Sequence, residues 1–218
     1  VGTRVIMLEN SISAGNLGFL RNLTACVFFM ILLVVKNYGL PPLRDWPVFI
    51  VSGGIGFGYY LILFNKGMET LTGATSCIVL ATAPLLTALL ASLAFREKLT
   101  ALAWAAMLMA FAGTAILALW EGTFNVEAGV FWTLGAALFI SCYNIIQRRM
   151  SRSYSSMQIT AYSFITAVPL TIFLAPGAMG QFAAAPALHQ GIAVFMGVFP
   201  SAVAYLYWAK ALSVAANT

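Results

Sequence analysis

The sequence predicts an all-α, polytopic membrane helical bundle with seven full spans, and three observations carry that prediction. Of 218 residues, 61% are hydrophobic and 8% are charged, where a soluble domain averages about 45–50% apolar and about 25% charged. The apolar residues fall in continuous runs close to the roughly 20 residues that cross hydrocarbon as a helix. These runs show no polar/apolar alternation over about ten residues, which excludes a transmembrane β-barrel. Eleven basic and six acidic residues cannot build a solvated surface for a chain of this length, so its apolar surface faces lipid. A soluble enzyme domain, a disordered chain and a nucleic-acid binder are excluded on the same grounds. The net charge of +5 is spread thinly and forms no basic patch.

The seven runs lie at 17–35, 46–64, 74–95, 102–119, 130–146, 159–174 and 192–208, and none contains an Asp or a Glu. The first carries Arg21 near its start, the one charge inside any run. The second contains SGGIGFG at 52–58, where Gly54 and Gly58 suit either close helix packing or a backbone-lined hinge. The third holds Pro84 in ATAPLLTALL, and the fourth is an unbroken Ala- and Leu-rich helix. The fifth ends on the basic Arg148 and Arg149. The sixth is the shortest and holds Pro169, and the seventh holds Pro200. Proline inside a membrane helix frees a carbonyl and permits a kink.

The connections are short and leave no room for a soluble domain, and 175–191 reads as a loop containing the single histidine, His189. The apolar 5–8 is too short to span, and no basic stretch followed by a cleavage site marks a signal peptide. Cys26, Cys77 and Cys142 sit singly in apolar runs, which argues against a disulfide framework or a zinc site.

Orientation follows from the basic residues, which favour cytoplasmic connections. One set of alternate connections holds Lys36, Arg44, Arg96, Lys98, Arg148, Arg149, Arg152 and Lys210. The other side holds Arg4, Arg21 and Lys66, with Glu9, Glu69, Glu121 and Glu127. The first span should therefore run from outside to inside, and the seventh should end inside. Trp46, Trp104, Trp120, Trp132 and Trp208 lie at or near span ends, as an aromatic belt would place them.

Sliding the chain on itself in the register that pairs Lys66 with Lys210 also lays Phe64 on Trp208. This mates the first span to the sixth and the second to the seventh. The period is five helices, and an odd period inverts the second copy in the membrane.

Several stretches, in order, then resemble the EamA-like branch of the drug/metabolite transporter superfamily. LGFLRNLTA resembles the family's second helix with its arginine, and ATAPLLTALLASLAFREKLT its fourth helix with the acidic turn that ends it. WTLGAALFISCYNIIQRRM resembles the sixth, and FPSAVAYLYWAKAL the eighth. Arg96 departs from the glycine that the family often has before the glutamate. The resemblance implies ten helices in two inverted halves, of which this chain would hold helices 2–8 and look truncated at both ends. Residues 1–122 would form most of the first repeat, with the tail of helix 1 and helices 2–5. Residues 123–218 would form part of the second, with helices 6–8. The implied activity is a secondary transporter, an exporter of small organic metabolites such as amino acids or amphiphilic compounds, working by alternating access in a bacterial inner membrane. On the family plan, the chain alone should not transport.

The chemistry available fits that expectation. The absence of a carboxylate inside the spans argues against a carboxylate relay within them, and a lone histidine offers no Ser-His dyad or metal cluster. No cofactor is expected, and the partners are a small-molecule substrate and the bilayer. Uncharged polar residues remain at helical spacing: Ser141, Asn144 and Gln147 in the fifth span, and Thr160, Ser163 and Thr166 beside Tyr162 in the sixth. An amide in hydrocarbon must find partners, so Asn144 should point inward with Ser141 and Gln147 a turn to either side. Asn144, Gln147, Ser141, Tyr162, Tyr205 and Trp208 are the candidate cavity residues, with Trp208 equally suited to the belt. A seven-helix receptor is the competing reading, but it has no reason for a five-helix period. Cysteine labelling should reach 96–98 and 148–152 from the cytoplasm and 121–127 from outside. Labelling of 121–127 only from the cytoplasm would reverse the orientation.

Overall fold

In a computed structural model, residues 2–9, 11–95, 100–120 and 128–215 are described, and they are helical with no strand among them. The short α1 covers Gly2–Leu8, α2 Ala14–Val35 and α3 Leu43–Gly67. Next come α4 at Gly73–Phe95, α5 at Ala101–Trp120 and α6 at Ala128–Met150. Helix α7 is Ser156–Leu170, α8 is Ala175–Ala184, and α9 runs over 187–215.

Among these residues five helices are long and apolar enough to cross a membrane, and six if a bent pair counts as one span. That is fewer than the seven expected. Helix α5, Ala101–Trp120, is a further apolar helix of 20 residues. The connections at 96–99 and 121–127, including Arg96, Lys98, Glu121 and Glu127, lie outside the described residues.

Two expectations are corrected on the sixth connection. Residues 175–184 form a helix, and α7 turns into it through a 56° bend just beyond Pro169. This helix docks because its polar groups are satisfied. Gln181 Oε1 accepts from the Ser13 amide and from Asn16 Nδ2, both at 2.8 Å. Gln190 Nε2 donates to the carbonyls of Phe182 (2.9 Å) and Ala185 (3.0 Å), covering the helix end. His189 therefore lies in the first turns of α9 and is buried, with Nδ1 hydrogen-bonded to Ser11 Oγ at 2.8 Å and Nε2 3.3 Å from the Glu9 carboxylate.

The proline positions act differently from one another. Pro84 begins the second half of α4, which is interrupted between Leu80 and Ala83. Pro200 sits inside a π-helical segment, Gly197–Val203, and a second π-helical segment, Gly54–Gly58, lies in α3. Such segments widen the helix and leave carbonyls to be satisfied from elsewhere. Asn22 Nδ2 on α2 supplies one bond, donating to the Phe57 carbonyl at 3.1 Å.

The core forms where α2, α3, α6, α7 and α9 converge. Phe57 stacks on Phe164 with ring centroids 3.8 Å apart, and takes Tyr143 and Tyr205 edge-on at 4.9 and 5.0 Å. Helices α3 and α7 are pressed together along a polar seam. Ser52 and Ser163 share a hydrogen bond of 2.8 Å, and Thr166 Oγ1 donates to the Phe49 carbonyl at 2.7 Å. Gly53 makes that approach possible: a Cβ there would sit 2.2 Å from Thr166 Oγ1 and 2.3 Å from the Ser163 carbonyl. The packing reading of 52–58 thus applies at Gly53. At the loop end of α6, the Tyr154 hydroxyl donates to Asp45. That bond, to a carboxylate, raises the Tyr154 ionisation to about 12. The link is intact below the ordinary tyrosine range near pH 10 and is lost as pH rises towards 12.

Gly53→Val should destabilise the bundle by about 1–3 kcal/mol through overpacking, read as loss of monodisperse detergent-solubilised protein on heating. Gly180→Ala, where nothing lies within 4 Å of the new methyl, should leave that curve unshifted or shift it upward. Equal behaviour of the two variants would remove the close α3–α7 seam.

Candidate functional site: a largely apolar cavity between the helices

A cavity of about 780 Å³ lies between α3, α4, α6, α7 and α9. Its walls are largely apolar, with Leu80, Ala83, Pro84, Ala88 and Ala91 from α4 facing Ile140 and Ile145 from α6. A few polar groups converge on it: Tyr60, Thr87, Asn144, Gln147, Tyr205 and Trp208. Mostly apolar walls with a few placed polar groups are the usual form of a small-molecule site, and this volume is in the usual range.

Helical spacing explains why α6 supplies the amides, since Asn144 and Gln147 project from the same face one turn apart. Asn144 Nδ2 donates to Thr87 Oγ1 at 3.3 Å. The Asn144 and Gln147 side-chain oxygens are buried and have no hydrogen-bond partner. Two acceptor oxygens thus remain available on the residues that line the cavity. Tyr205 links cavity and core, because its ring also meets the edge of Phe57. Trp208 lies on the cavity wall with 52% of its surface exposed, so it satisfies both the cavity and the belt reading. At one end of the cavity stand Arg148, Ser151 and Ser156, and the Arg148 guanidinium covers the Phe95 ring at 4.8 Å.

Of the six candidates, four line this cavity and two do not. Ser141 is spent on the backbone, with its hydroxyl 2.6 Å from the Ala137 carbonyl and 2.9 Å from the Ala83 carbonyl at the break in α4. Tyr162 is fully buried in the core, its hydroxyl donating to the Gly39 carbonyl and its ring edge-on to Phe49 at 5.1 Å. Thr160, Ser163 and Thr166 lie on the same helix, and the last two serve the α3 seam.

Sequence reasoning missed Thr87 and undervalued Tyr60. Thr87 stands one turn past Pro84, but its span also holds Thr75, Ser76, Thr82 and Ser92, so nothing in the sequence singled it out. Arg21 was visible as the sole charge within a span. It is buried to 6% exposure, and Nε and Nη2 both donate to Ser201 Oγ, at 3.2 and 3.0 Å. Ser201 stands four residues before Tyr205, which lines the cavity.

In a background with Cys77 and Cys142 replaced by serine, Ala91→Cys should react with a hydrophilic thiol reagent, because residue 91 lines the cavity. Cys26, buried to 5% exposure, should stay unlabelled in folded protein. Protection of both positions would close the cavity to solvent.

Comparison with known proteins fits this geometry. The profile of the EamA-like transporter family matches residues 5–119 and 127–216. A "Probable terminal-alkyne amino-acid exporter" of Streptantibioticus cattleyicolor is 27% identical over 181 residues, covering 82% of this chain and 61% of that protein. The "Uncharacterized transporter YdfC" of Bacillus subtilis is 26% identical over 192 residues, covering 87% of this chain and 62% of that protein. The chain thus spans about three fifths of the length of these curated relatives. A solved crystal structure, 20% identical, superposes with a TM-score of 0.67 over 95% of this chain and 73% of its own, and shares the fold.

Proposed function

From the premise that the chain belongs to the EamA-like transporter family, we propose that the whole protein is a secondary transporter exporting small organic metabolites, amino acids or amphiphilic compounds among them. On this reading it is a multi-pass protein of a bacterial inner membrane, with seven spans in this chain. Two inverted repeats, begun at 1–122 and continued at 123–218, alternate access to one central site. The cavity is the observation that carries the reading. It draws α3 and α4 from the first of these segments and α6, α7 and α9 from the second, so relative movement of the two would reshape it. Its substrate-binding groups are Asn144, Gln147, Tyr205 and Trp208, with Tyr60 and Thr87 added. Ser141 and Tyr162 hold the flanking helices.

Further observations support this reading. The register that pairs Lys66 with Lys210 lays the π-helical Gly54–Gly58 on 198–202, inside the other π-helical segment. A repeated unit would give each copy its widened turn at the same place, where helices most easily flex. The basic residues set the end of the cavity bearing Arg148 and Ser151 on the cytoplasmic side, so the substrate enters from within, as export requires. The relatives are named as transporters, not as receptors or enzymes, and one is named for an amino acid.

The test uses the full-length protein in proteoliposomes loaded with a panel of amino acids and neutral amphiphiles. At least one compound should show counterflow. Asn144→Leu and Tyr205→Ala should each lower its rate by about tenfold or more at normal membrane abundance. That loss equals about 1.4 kcal/mol, the size of one hydrogen bond to a substrate. Parental rates in both variants would remove the site assignment, and no counterflow with any compound would remove the transporter reading.

A further inference from the structure

Arg21 is a permanent charge placed where charge is expensive. Its guanidinium does not lose its proton in proteins and carries five N–H donors. It is buried about two turns inside α2. Among the described residues its hydrogen bonds go to a single neutral hydroxyl, Ser201 Oγ, and no carboxylate pairs with it. Buried cations in membrane helices ordinarily find an acidic partner or mark a binding path.

The surroundings point to the second case. Ser201 belongs to the widened π-helical segment of α9, four residues before Tyr205. Tyr205 lines the cavity, so the hydroxyl that holds the guanidinium stands about one helical turn from the cavity wall. The residues lining the cavity include no Asp or Glu, while Arg148 stands near its cytoplasmic end. Among the described residues no carboxylate lines the cavity to offset the Arg21 charge beside it, which disfavours cationic amphiphiles and favours substrates bearing an anionic group.

We propose that Arg21 binds the carboxylate of the transported substrate, displacing Ser201, and so selects carboxylate-bearing metabolites over carboxylate-free analogues of the same size. This rests on the transporter reading above. A planar guanidinium fork matches a carboxylate in two parallel hydrogen bonds, a geometry that lysine does not offer. Tyr205, on the cavity wall about one turn from Ser201, positions the carboxylate as it arrives. The amide side chains of Asn144 and Gln147, on the cavity wall, would meet the rest of the molecule, where an ammonium group would serve their oxygens.

The experiment measures ligand-induced thermal stabilisation and counterflow of the purified full-length protein, with L-leucine, isovalerate and leucinol as probes. L-Leucine and isovalerate should half-saturate at concentrations at least tenfold below leucinol. Arg21→Gln should erase that difference, with Arg21→Lys restoring it only in part. Ser201→Ala, which frees the guanidinium, should tighten isovalerate binding severalfold and leave leucinol unchanged. If Arg21→Gln fails to accumulate in the membrane, Ser201→Ala decides, and unchanged isovalerate binding there overturns the proposal. A carboxylate preference that survives in Arg21→Gln, or is absent from the parent protein, overturns it as well. Counterflow of leucinol at the rate of L-leucine would remove the role of Arg21 while leaving the transporter standing. Absence of counterflow for every compound would remove the transporter reading itself.

Discussion

Four helices meet on the ring of Phe57. It stacks on Phe164 of α7, receives the edges of Tyr143 from α6 and Tyr205 from α9, and projects from the π-helical turn of α3. The backbone is arranged to permit this. At Gly56 a Cβ would lie 2.4 Å from the Tyr143 ring, so only glycine lets that ring close in. The extra residue in the turn frees a carbonyl, and Asn22 reaches from α2 to satisfy it. In hydrocarbon an unpaired carbonyl costs several kcal/mol, so the aromatic cluster and the buried Asn22 depend on each other. The cavity is built outward from this point, because Tyr205 is both a member of the cluster and a wall of the cavity.

Polar side chains within the bundle do two kinds of work. Along α7, Ser163 and Thr166 hold α3 at close range through hydrogen bonds that use up their capacity. Along α6, Asn144 and Gln147 retain oxygens that nothing engages. A hydroxyl can return its proton to its own helix, whereas a side-chain amide has more sites than one neighbour can meet. The difference separates residues that fasten helices from residues left to meet a ligand.

This distinction also marks how far the sequence could be read. The apolar spans were legible because hydrocarbon thickness fixes their length, and the amides of α6 because burying them demands partners. The threefold spacing of Thr160, Ser163 and Thr166 looked the same as that of Ser141, Asn144 and Gln147. Only the identity of the facing helix tells a seam from a cavity, and spacing along one chain does not contain it. Tyr162 was misplaced for that reason. The helix Ala175–Ala184 was read as a loop because Ala, Gly and Pro weaken its pattern. Its stability comes from Gln181 and Gln190, whose partners are distant or beyond a turn. His189 followed the same error, since it was assigned to that loop. Arg21 was seen, but used only to count charge and to mark the resemblance of the first span.

The bend between α7 and α8 has a consequence for the surrounding lipid. Helix α7 has 15 residues, and a straight helix of that length measures about 22 Å, short of a hydrocarbon layer about 30 Å thick. Beyond the 56° turn the chain runs obliquely and no longer gains depth at the full rate. With α7 along the membrane normal, the second leg still adds about 11 Å of depth, so the bent pair covers about 33 Å, close to the hydrocarbon thickness. It does so by reaching sideways. A straight helix passes through one column of the bilayer, whereas this pair displaces acyl chains over a wider footprint in the leaflet that holds its second leg.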